Sequence, residues 1–359
     1  MIKVGIIGTG GIAKCLQLRL QNIGWSVVFL VRRKTYSFNG AEHARNKMAI
    51  SDLLDEANPD LVFLAISTLD RGEEAKNYIG HCARKGIPVV TCEKGALAYH
   101  AEALKPFFGL IGFTATVGGG TQLIGYLHDR LIPASEERVG VYSLTQRPSE
   151  DGTKGLIPFV NRRHVEIHAV INGTLNFVFD EVARGGRTLG EACDEAMKLG
   201  YAEPGAKDAL SLINGELRDV VMKTCVLFNT TLARNEFITP SKLGAIELAP
   251  RQLEELNQKA ADYRFVVSFS NRTAPKKRSF FNGNFEIAVG EWHIQGGFRQ
   301  THGDTDLASW LPGGVGNAVH IIEGELGSGG KYTLSGPGAG HEATTTVMQN
   351  DAERLLKHI

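Results

Sequence analysis

The stretch Gly8-Thr9-Gly10-Gly11-Ile12-Ala13 has the spacing of a phosphate-cradling turn. In Gly8-x-Gly10-x-x-Ala13 the first glycine permits a tight turn and the second lets backbone approach a pyrophosphate. The small third residue lets a helix pack closely on the preceding strand. A helix that starts here aims free N–H groups and the positive end of its dipole at the anion. An NAD-binding turn of this kind carries an acidic residue about 20 residues later for the ribose hydroxyls. This chain instead has Val31-Arg32-Arg33-Lys34, and guanidinium groups there suit a 2′-phosphate. The plainer readings are a glycine turn without ligand and a solvated basic turn. The strand–loop–helix order favours dinucleotide binding, and Arg32 with Arg33 favours NADP over NAD. Ser67 and Thr68, at the end of the later strand run, are further cofactor-side candidates.

Other spacings admit chemistry on weaker grounds. Asp219 and Lys223 are four residues apart and share a face if the segment is helical. Alone, such a pair is commonly a surface ion pair contributing about 0.3–0.5 kcal/mol. His302-Gly303-Asp304 lacks a third ligand at metal-binding spacing and reads as a polar loop. His164 and His168 have helical spacing, but no glutamate completes an HExxH pattern. Cys92 beside Lys94 reads as a strand-end thiol rather than a nucleophile.

The elements that must hold these residues follow from periodicity. Val4–Ile7, Ser26–Val31, Leu61–Ile66 and Val89–Cys92 are strand candidates, with helices over Ile12–Gln21 and Glu73–Arg84. Strands separated by helices imply a doubly wound, Rossmann-type parallel sheet in an α/β chain. After Gly118-Gly119-Gly120 the pattern changes to a helix over Leu123–Leu131, an exposed loop over Arg147–Lys154, and two helical stretches within 165–230. Strand-like runs follow at Phe265–Phe269, Phe280–Val289, His293–Phe298 and 318–334, then an amphipathic helix over Ala343–His358. The expected division is a dinucleotide-binding domain at 1–125, an α+β catalytic and dimerisation domain at 126–317, and a segment at 318–359 returning to the first domain.

Bulk properties agree with this organisation. A chain of 359 residues is long enough for two packed units. Its hydrophobic share of 43% and charged share of 22% are those of a globular protein. Lysine plus arginine equals aspartate plus glutamate at 39 each, which gives no electrostatic case for nucleic acid or an anionic membrane as partner. No apolar run reaches the ~20 residues that span a bilayer, and the N-terminus turns to glycine too early for a signal peptide. Five scattered cysteines without a CxxC read as reduced thiols, consistent with a cytoplasmic setting.

Further motifs stand in a fixed order: Thr91-Cys92-Glu93-Lys94-Gly95, Ala115-Thr116-Val117-Gly118-Gly119-Gly120, Ile171-Asn172-Gly173-Thr174-Leu175-Asn176-Phe177, Gly200-Tyr201-Ala202-Glu203-Pro204, Asp219-x-x-x-Lys223, Asn317-Ala318 and Gly336-Pro337-Gly338-Ala339-Gly340. Taken together they resemble the homoserine dehydrogenase family, which interconverts aspartate 4-semialdehyde and homoserine with NAD(P). The resemblance runs from the first strand to the last helix and is thinnest at 133–163 and 235–300.

The resemblance implies roles. Lys94 and Lys223 match the lysines of the cofactor and catalytic domains, with Lys223 as proton donor or acceptor. Glu203 and Asp219 match carboxylates around the ammonium and hydroxyl ends of the substrate, Thr174 and Tyr201 substrate-side positions, and Gly340 a glycine beside the cofactor. A monovalent cation site built partly from carbonyls would involve Val117, Gly119 and Thr121. The family opens that glycine motif with an acidic residue, where this chain has Thr114. Gly205-Ala206 also stand where the family has Asp-Pro, and the span from Glu203 to Lys223 is longer than usual. A homodimer and a place in threonine and methionine biosynthesis are expected with the family, and a sequence that stops at Ile359 leads to the expectation of no feedback control through an appended domain. The chemistry is coherent. Hydride transfer to an aldehyde builds charge on oxygen, which a nearby lysine can protonate if burial or a second cation tunes it. Two alternatives stay open: a related reductase of another small carbonyl compound, and a silent NADP-binding sensor.

Overall fold

The computed structural model describes residues 1–38, 41–44, 49–131, 165–202, 205–233, 236–272, 281, 284–324, 329–338 and 340–357. The chain divides into two compact units, the first formed by 1–147, 226–232 and 340–359, the second by 148–225 and 233–339. The sequence reading kept 318–359 together, whereas here 318–339 belongs to the second unit and 340–359 to the first. The strands before that point pair within the second unit's sheet.

The first unit opens with β1 (Lys3–Ile7), α1 (Gly11–Asn22) and β2 (Ser26–Val31), then β3 (Thr35–Phe38) and β4 (Ala41–Ala44). It continues with α2 (Ile50–Ala57), β5 (Leu61–Leu64), α3 (Glu73–Arg84), β6 (Val89–Thr91), α4 (Gly95–Leu104), β7 (Ile111–Gly112) and α5 (Leu123–Leu131). The sheet order is β4-β3-β2-β1-β5-β6-β7, with β2, β1, β5, β6 and β7 mutually parallel. Parallel strands are covered on both faces and so carry apolar runs instead of alternation; Leu61, Val62, Phe63 and Leu64 are all fully buried. One feature departs from the expected alternation. After β2 the chain reverses at once, with the Arg32 N–H donating to the Thr35 carbonyl at 2.7 Å, and β3 and β4 pair antiparallel as an edge hairpin. The β2–β3 connection at Arg32–Lys34 offers no glycine or proline to mark its turn, whereas Asn39-Gly40 stands between β3 and β4.

The second unit contributes β8 (Glu166–Val170), α6 (Gly173–Gly185), α7 (Leu189–Lys198), α8 (Ala209–Thr231, whose residues from Val226 on belong to the first unit), α9 (Pro240–Leu243), α10 (Pro250–Asn257) and β9 (Tyr263–Ser270). After these come β10 (Phe285–Val289), β11 (Trp292–Gln300), α11 (Thr305–Trp310), β12 (Gly316–Glu323) and β13 (Gly330–Pro337). The chain then returns to the first unit through α12 (His341–Leu356). The six-stranded sheet runs β10-β11-β9-β8-β12-β13, antiparallel throughout. The sequence reading placed no strand at β8. Its inward residues Ile167 and Ala169 alternate with Glu166 and His168, which face a polar row. There His168 Nδ1 meets Ser268 Oγ at 2.8 Å and the Trp310 ring of α11 stacks on both His168 and His320. Burial lowers the pKa of His320 below the usual histidine range. His168 therefore lies on a strand, not on a helix face. The loop expected at Arg147–Lys154, like His164, lies outside the described residues.

Candidate functional site

In the first unit the glycine turn falls between β1 and α1, as its spacing requires. Gly8 has φ 137°, and a Cβ on it would sit 2.1 Å from the Ala65 carbonyl oxygen at the end of β5. Any side chain there would push the loop off the sheet. Gly10 caps α1 with no side-chain hydrogen bond, and nothing lies within 4 Å of where its Cβ would be. The loop is thus uncrowded at Gly10, and Thr9, Gly10 and Gly11 are exposed. The orphan donors of a helix start and this uncluttered approach fit a dinucleotide pyrophosphate. Ile12 continues the first turn, half-buried. His341, which the sequence reading did not single out, packs its ring against Gly11, 2.2 Å from the position of a Cβ there.

Arg32 follows β2 directly and pairs with Glu42 of the hairpin at 3.2 Å, on the surface. Thr35 also donates to Glu42, at 2.7 Å. An exposed pair of this kind contributes only about 0–1 kcal/mol, so it places the guanidinium without locking it. Ser67 is exposed beyond β5, whereas the Thr68 hydroxyl donates to Glu93 Oε1 at 2.5 Å. The buried Glu93 carboxylate also accepts the N–H groups of Gly95 at 2.6 Å and Ala96 at 2.9 Å. It satisfies the start of α4 and fixes the backbone on either side of Lys94, which is half-buried. Glu93 was legible only as a neighbour of Lys94, because the partner that ties it to the rest of the unit, Thr68, comes from a different βα turn. Burial, followed by the Glu93 charge, pushes the Cys92 thiol up to about 12, which removes it as a nucleophile.

The glycine motif after β7 forms a tight turn in which the Thr121 N–H donates to the Gly118 carbonyl at 2.8 Å and the Leu123 N–H donates to the Thr121 carbonyl at 2.5 Å. Thr114, at its head, is fully buried and donates its N–H and hydroxyl to the two oxygens of Asp351 on α12, at 2.9 and 2.5 Å. Val117 and Thr121 are buried and Gly119 is half-buried. Among the described residues no group of three or more His, Cys, Asp or Glu is placed to hold a metal ion. His302 and Gly303 form a turn, and Asp304 caps α11 through the Leu307 N–H at 2.9 Å.

In the second unit Asn172 is the hub. Its Oδ1 accepts the Leu175 N–H at 2.7 Å and so caps α6. Its Nδ2 donates to Glu216 Oε2 at 2.7 Å and to Asp219 Oδ2 at 2.9 Å. The same Asp219 oxygen holds Lys223 Nζ at 2.7 Å, with Asp219 only 3% and Lys223 16% exposed. This is no surface pair. The four-residue spacing puts both on one face of α8, and burial makes that face a charged cluster inside the unit. Glu216, a turn before Asp219 and 2% exposed, was not singled out in the sequence. Its helical offset was visible, but its burial depends on Asn172 arriving from another element.

The other motif residues set this arrangement in place. Gly173 lets α6 approach closely, since a Cβ there would lie 2.5 Å from the Val315 carbonyl oxygen. The Thr174 hydroxyl donates to the Tyr201 carbonyl at 2.8 Å, and the Tyr201 ring meets Phe177 edge-on at 5.1 Å. Asn176 Nδ2 donates to the carbonyls of Pro312 and Gly314 at 2.9 and 2.8 Å. Thr174 and Tyr201 therefore join the Asn172 cluster to the 200–202 turn. Glu203 lies outside the described residues. Gly340, with φ 119°, caps α12 in the first unit.

Comparisons with known proteins agree with this construction. The family model for homoserine dehydrogenase matches residues 160–352. A homoserine dehydrogenase of Methanocaldococcus jannaschii is 23% identical over 66% of this chain and 62% of its own length. An NAD(+)-dependent homoserine dehydrogenase of Pseudomonas canavaninivorans is 27% identical over 78% of this chain and 66% of its own. The chain thus covers less than two thirds of the length of either relative. The fold is shared with a hyperthermophilic archaeal homoserine dehydrogenase mutant in complex with NADPH, at TM-score 0.65 and 18% identity over 100% of this chain and 98% of that one. It is shared too with the Thermoplasma acidophilum homoserine dehydrogenase, at TM-score 0.63 and 17% identity over 100% and 99% of the two chains. With more than half of its residues matched by the family model, and the Asn172–Asp219–Lys223 cluster inside that match, the chain belongs to the homoserine dehydrogenase family.

Proposed function

We propose that this protein catalyses reversible hydride transfer between aspartate 4-semialdehyde and L-homoserine, with NADP(H) preferred. The observation that carries the reading is Lys223, mostly buried and held at 2.7 Å by Asp219, whose carboxylate is itself fixed by Asn172. Bound at the turn from Gly8 to Ala13, the nicotinamide cofactor supplies or accepts the hydride. The residues of the chain do the rest. Lys223 Nζ gives a proton to the aldehyde oxygen as charge builds there, and takes it back in the oxidative direction. Asp219 orients Nζ, and the wall formed by Asp219 and Glu216 favours a substrate carrying an ammonium group. Glu93 holds the backbone around Lys94, keeping that second lysine in a fixed place within its unit.

Following NADPH absorbance with aspartate 4-semialdehyde tests this reading directly. Turnover on that substrate supports it, while turnover confined to other small aldehydes gives the altered 203–223 segment a different specificity. Tight cofactor binding with no turnover on any aldehyde makes the protein a sensor and ends the proposal. The family also supports a homodimer, which size-exclusion chromatography with light scattering checks.

The basic turn after β2 supports the NADP preference. Loss of a charge-assisted contact to a 2′-phosphate weakens binding by roughly 10- to 100-fold. Arg32→Ala and Arg33→Ala are accordingly expected to weaken NADPH in fluorescence titrations while leaving NADH nearly unchanged. Equal losses for both cofactors would rule out a basic phosphate pocket.

A further inference from the structure

Gly11 is the glycine that the cofactor turn does not explain. The turn asks for small residues at 8, 10 and 13, for its bend, for the approach of a pyrophosphate and for helix packing. At position 11 the space is taken by another residue of this chain. Three ring atoms of His341, Cε1, Nε2 and Nδ1, lie 2.2, 2.5 and 2.9 Å from where a Cβ on Gly11 would stand. Any side chain there displaces the imidazole.

Two helices bring the ring to this place. Cys15 Sγ meets Thr345 Oγ1 at 3.4 Å, and Arg19 Nη1 donates to Gln349 Oε1 at 3.3 Å. With Gly11 against His341, the contacts advance four residues at a time on both helices. Within the first unit α1 and α12 therefore run parallel and start at the same end. Both starts are capped by glycine, Gly10 and Gly340, with no side-chain hydrogen bond to the cap. First-turn N–H groups, which lack intrahelical partners, and the positive dipole ends of two helices thus stand side by side. Glu342 is the acid in the first turn of α12. Its carboxylate is drawn back along α1, accepting from Arg19 Nη2 at 3.0 Å and from the Cys15 thiol at 3.3 Å, which leaves the corner to His341. The His341 side chain is exposed, and its ring nitrogens have no hydrogen-bond partner among the described residues. Burial does not hold the ring here. An unengaged imidazole where two helix starts meet is the arrangement that receives an anion.

We infer that His341 is a cofactor-binding residue, a ring N–H donating to the pyrophosphate of the dinucleotide held at the turn from Gly8 to Ala13. This assignment rests on the dinucleotide reading of that turn and not on the identity of the aldehyde. NADPH and NADH carry the same pyrophosphate, so the contact does not discriminate between them. Fluorescence titrations of the full chain with each dinucleotide test it. Loss of a hydrogen bond to a charged group weakens binding by roughly 10- to 100-fold, and His341→Ala is expected to weaken both dinucleotides by the same factor in that range. His341→Gln, which keeps an N–H donor, is expected to recover most of the loss. The Tm of the cofactor-free protein should be unchanged in both variants, because the side chain is exposed. Gly11→Ala should weaken binding in the wild-type background and do much less once His341 is alanine. Unchanged affinities in His341→Ala overturn the inference, as does a loss confined to NADPH. Equal losses in the alanine and glutamine variants, a fall in Tm that tracks the loss of affinity, or a Gly11→Ala effect undiminished without the histidine overturn it too. Dinucleotide binding through His341 with no turnover on any aldehyde would end the functional proposal and leave this assignment standing.

Discussion

Lys223→Ala is expected to lower kcat for aspartate 4-semialdehyde reduction by about 10²- to 10⁴-fold, the range lost when a positioned acid or base is removed. Affinity for NADPH should change little if the lysine acts in proton transfer and not in holding the cofactor. Arginine is a poor substitute, since a guanidinium stays protonated and cannot return a proton in the oxidative direction. The pairing makes a second comparison informative. Asp219→Asn keeps a hydrogen-bonding group beside Nζ but removes the charge that holds it at 2.7 Å, so it should impair kcat less than loss of the lysine does. Steady-state kinetics in both directions decide the matter. A Lys223→Ala enzyme with more than about a tenth of wild-type kcat would show that the proton moves by another group.

Asn172→Ala is expected to be the most destabilising single change at the site, by about 3–5 kcal/mol. It removes the cap of α6, typically about 1 kcal/mol, and two hydrogen bonds to charged groups at roughly 1.5–3 kcal/mol each. It also leaves Glu216 and Asp219, both at most 3% exposed, without the amide that holds them, which is the costly kind of broken buried contact. Relaxation and water entry recover part of that sum. Asn172→Asp preserves the cap through its carboxylate but places a third negative charge against two others, so it should be no milder. Urea unfolding monitored by circular dichroism measures both. A loss below about 1 kcal/mol for the alanine variant would mean that the amide is not the hub the geometry makes it.

Most of the first unit was legible because local rules and tertiary rules coincide there. The β2 and α3 boundaries, Ser26–Val31 and Glu73–Arg84, match the structure residue for residue, since apolar runs and helical periodicity are enforced by a sheet covered on both faces. The β3–β4 hairpin carries a local signal, Asn39-Gly40 between its strands, but strands of four residues each are too short to show an alternation of their own. In the second unit β8 escaped notice for the opposite reason. Its polar residues are buried, so alternation no longer means one wet face and one dry one. The Asp219–Lys223 pair could be named from the sequence, but its burial could not: four-residue spacing is the same for a solvent-exposed pair as for this buried one.

Glycine spacing after β1 determined the cofactor turn by itself, because backbone sterics around Gly8 depend on the immediate chain and the next strand. The order of the motifs likewise determined the family. Tertiary structure alone decided which polar groups became a site. Asn172, Glu216 and Asp219 are 44 and 47 residues apart in sequence from the first to the others, and Thr114 is 237 from Asp351. Charge in a protein interior is governed by what surrounds it after folding, and no local pattern records that.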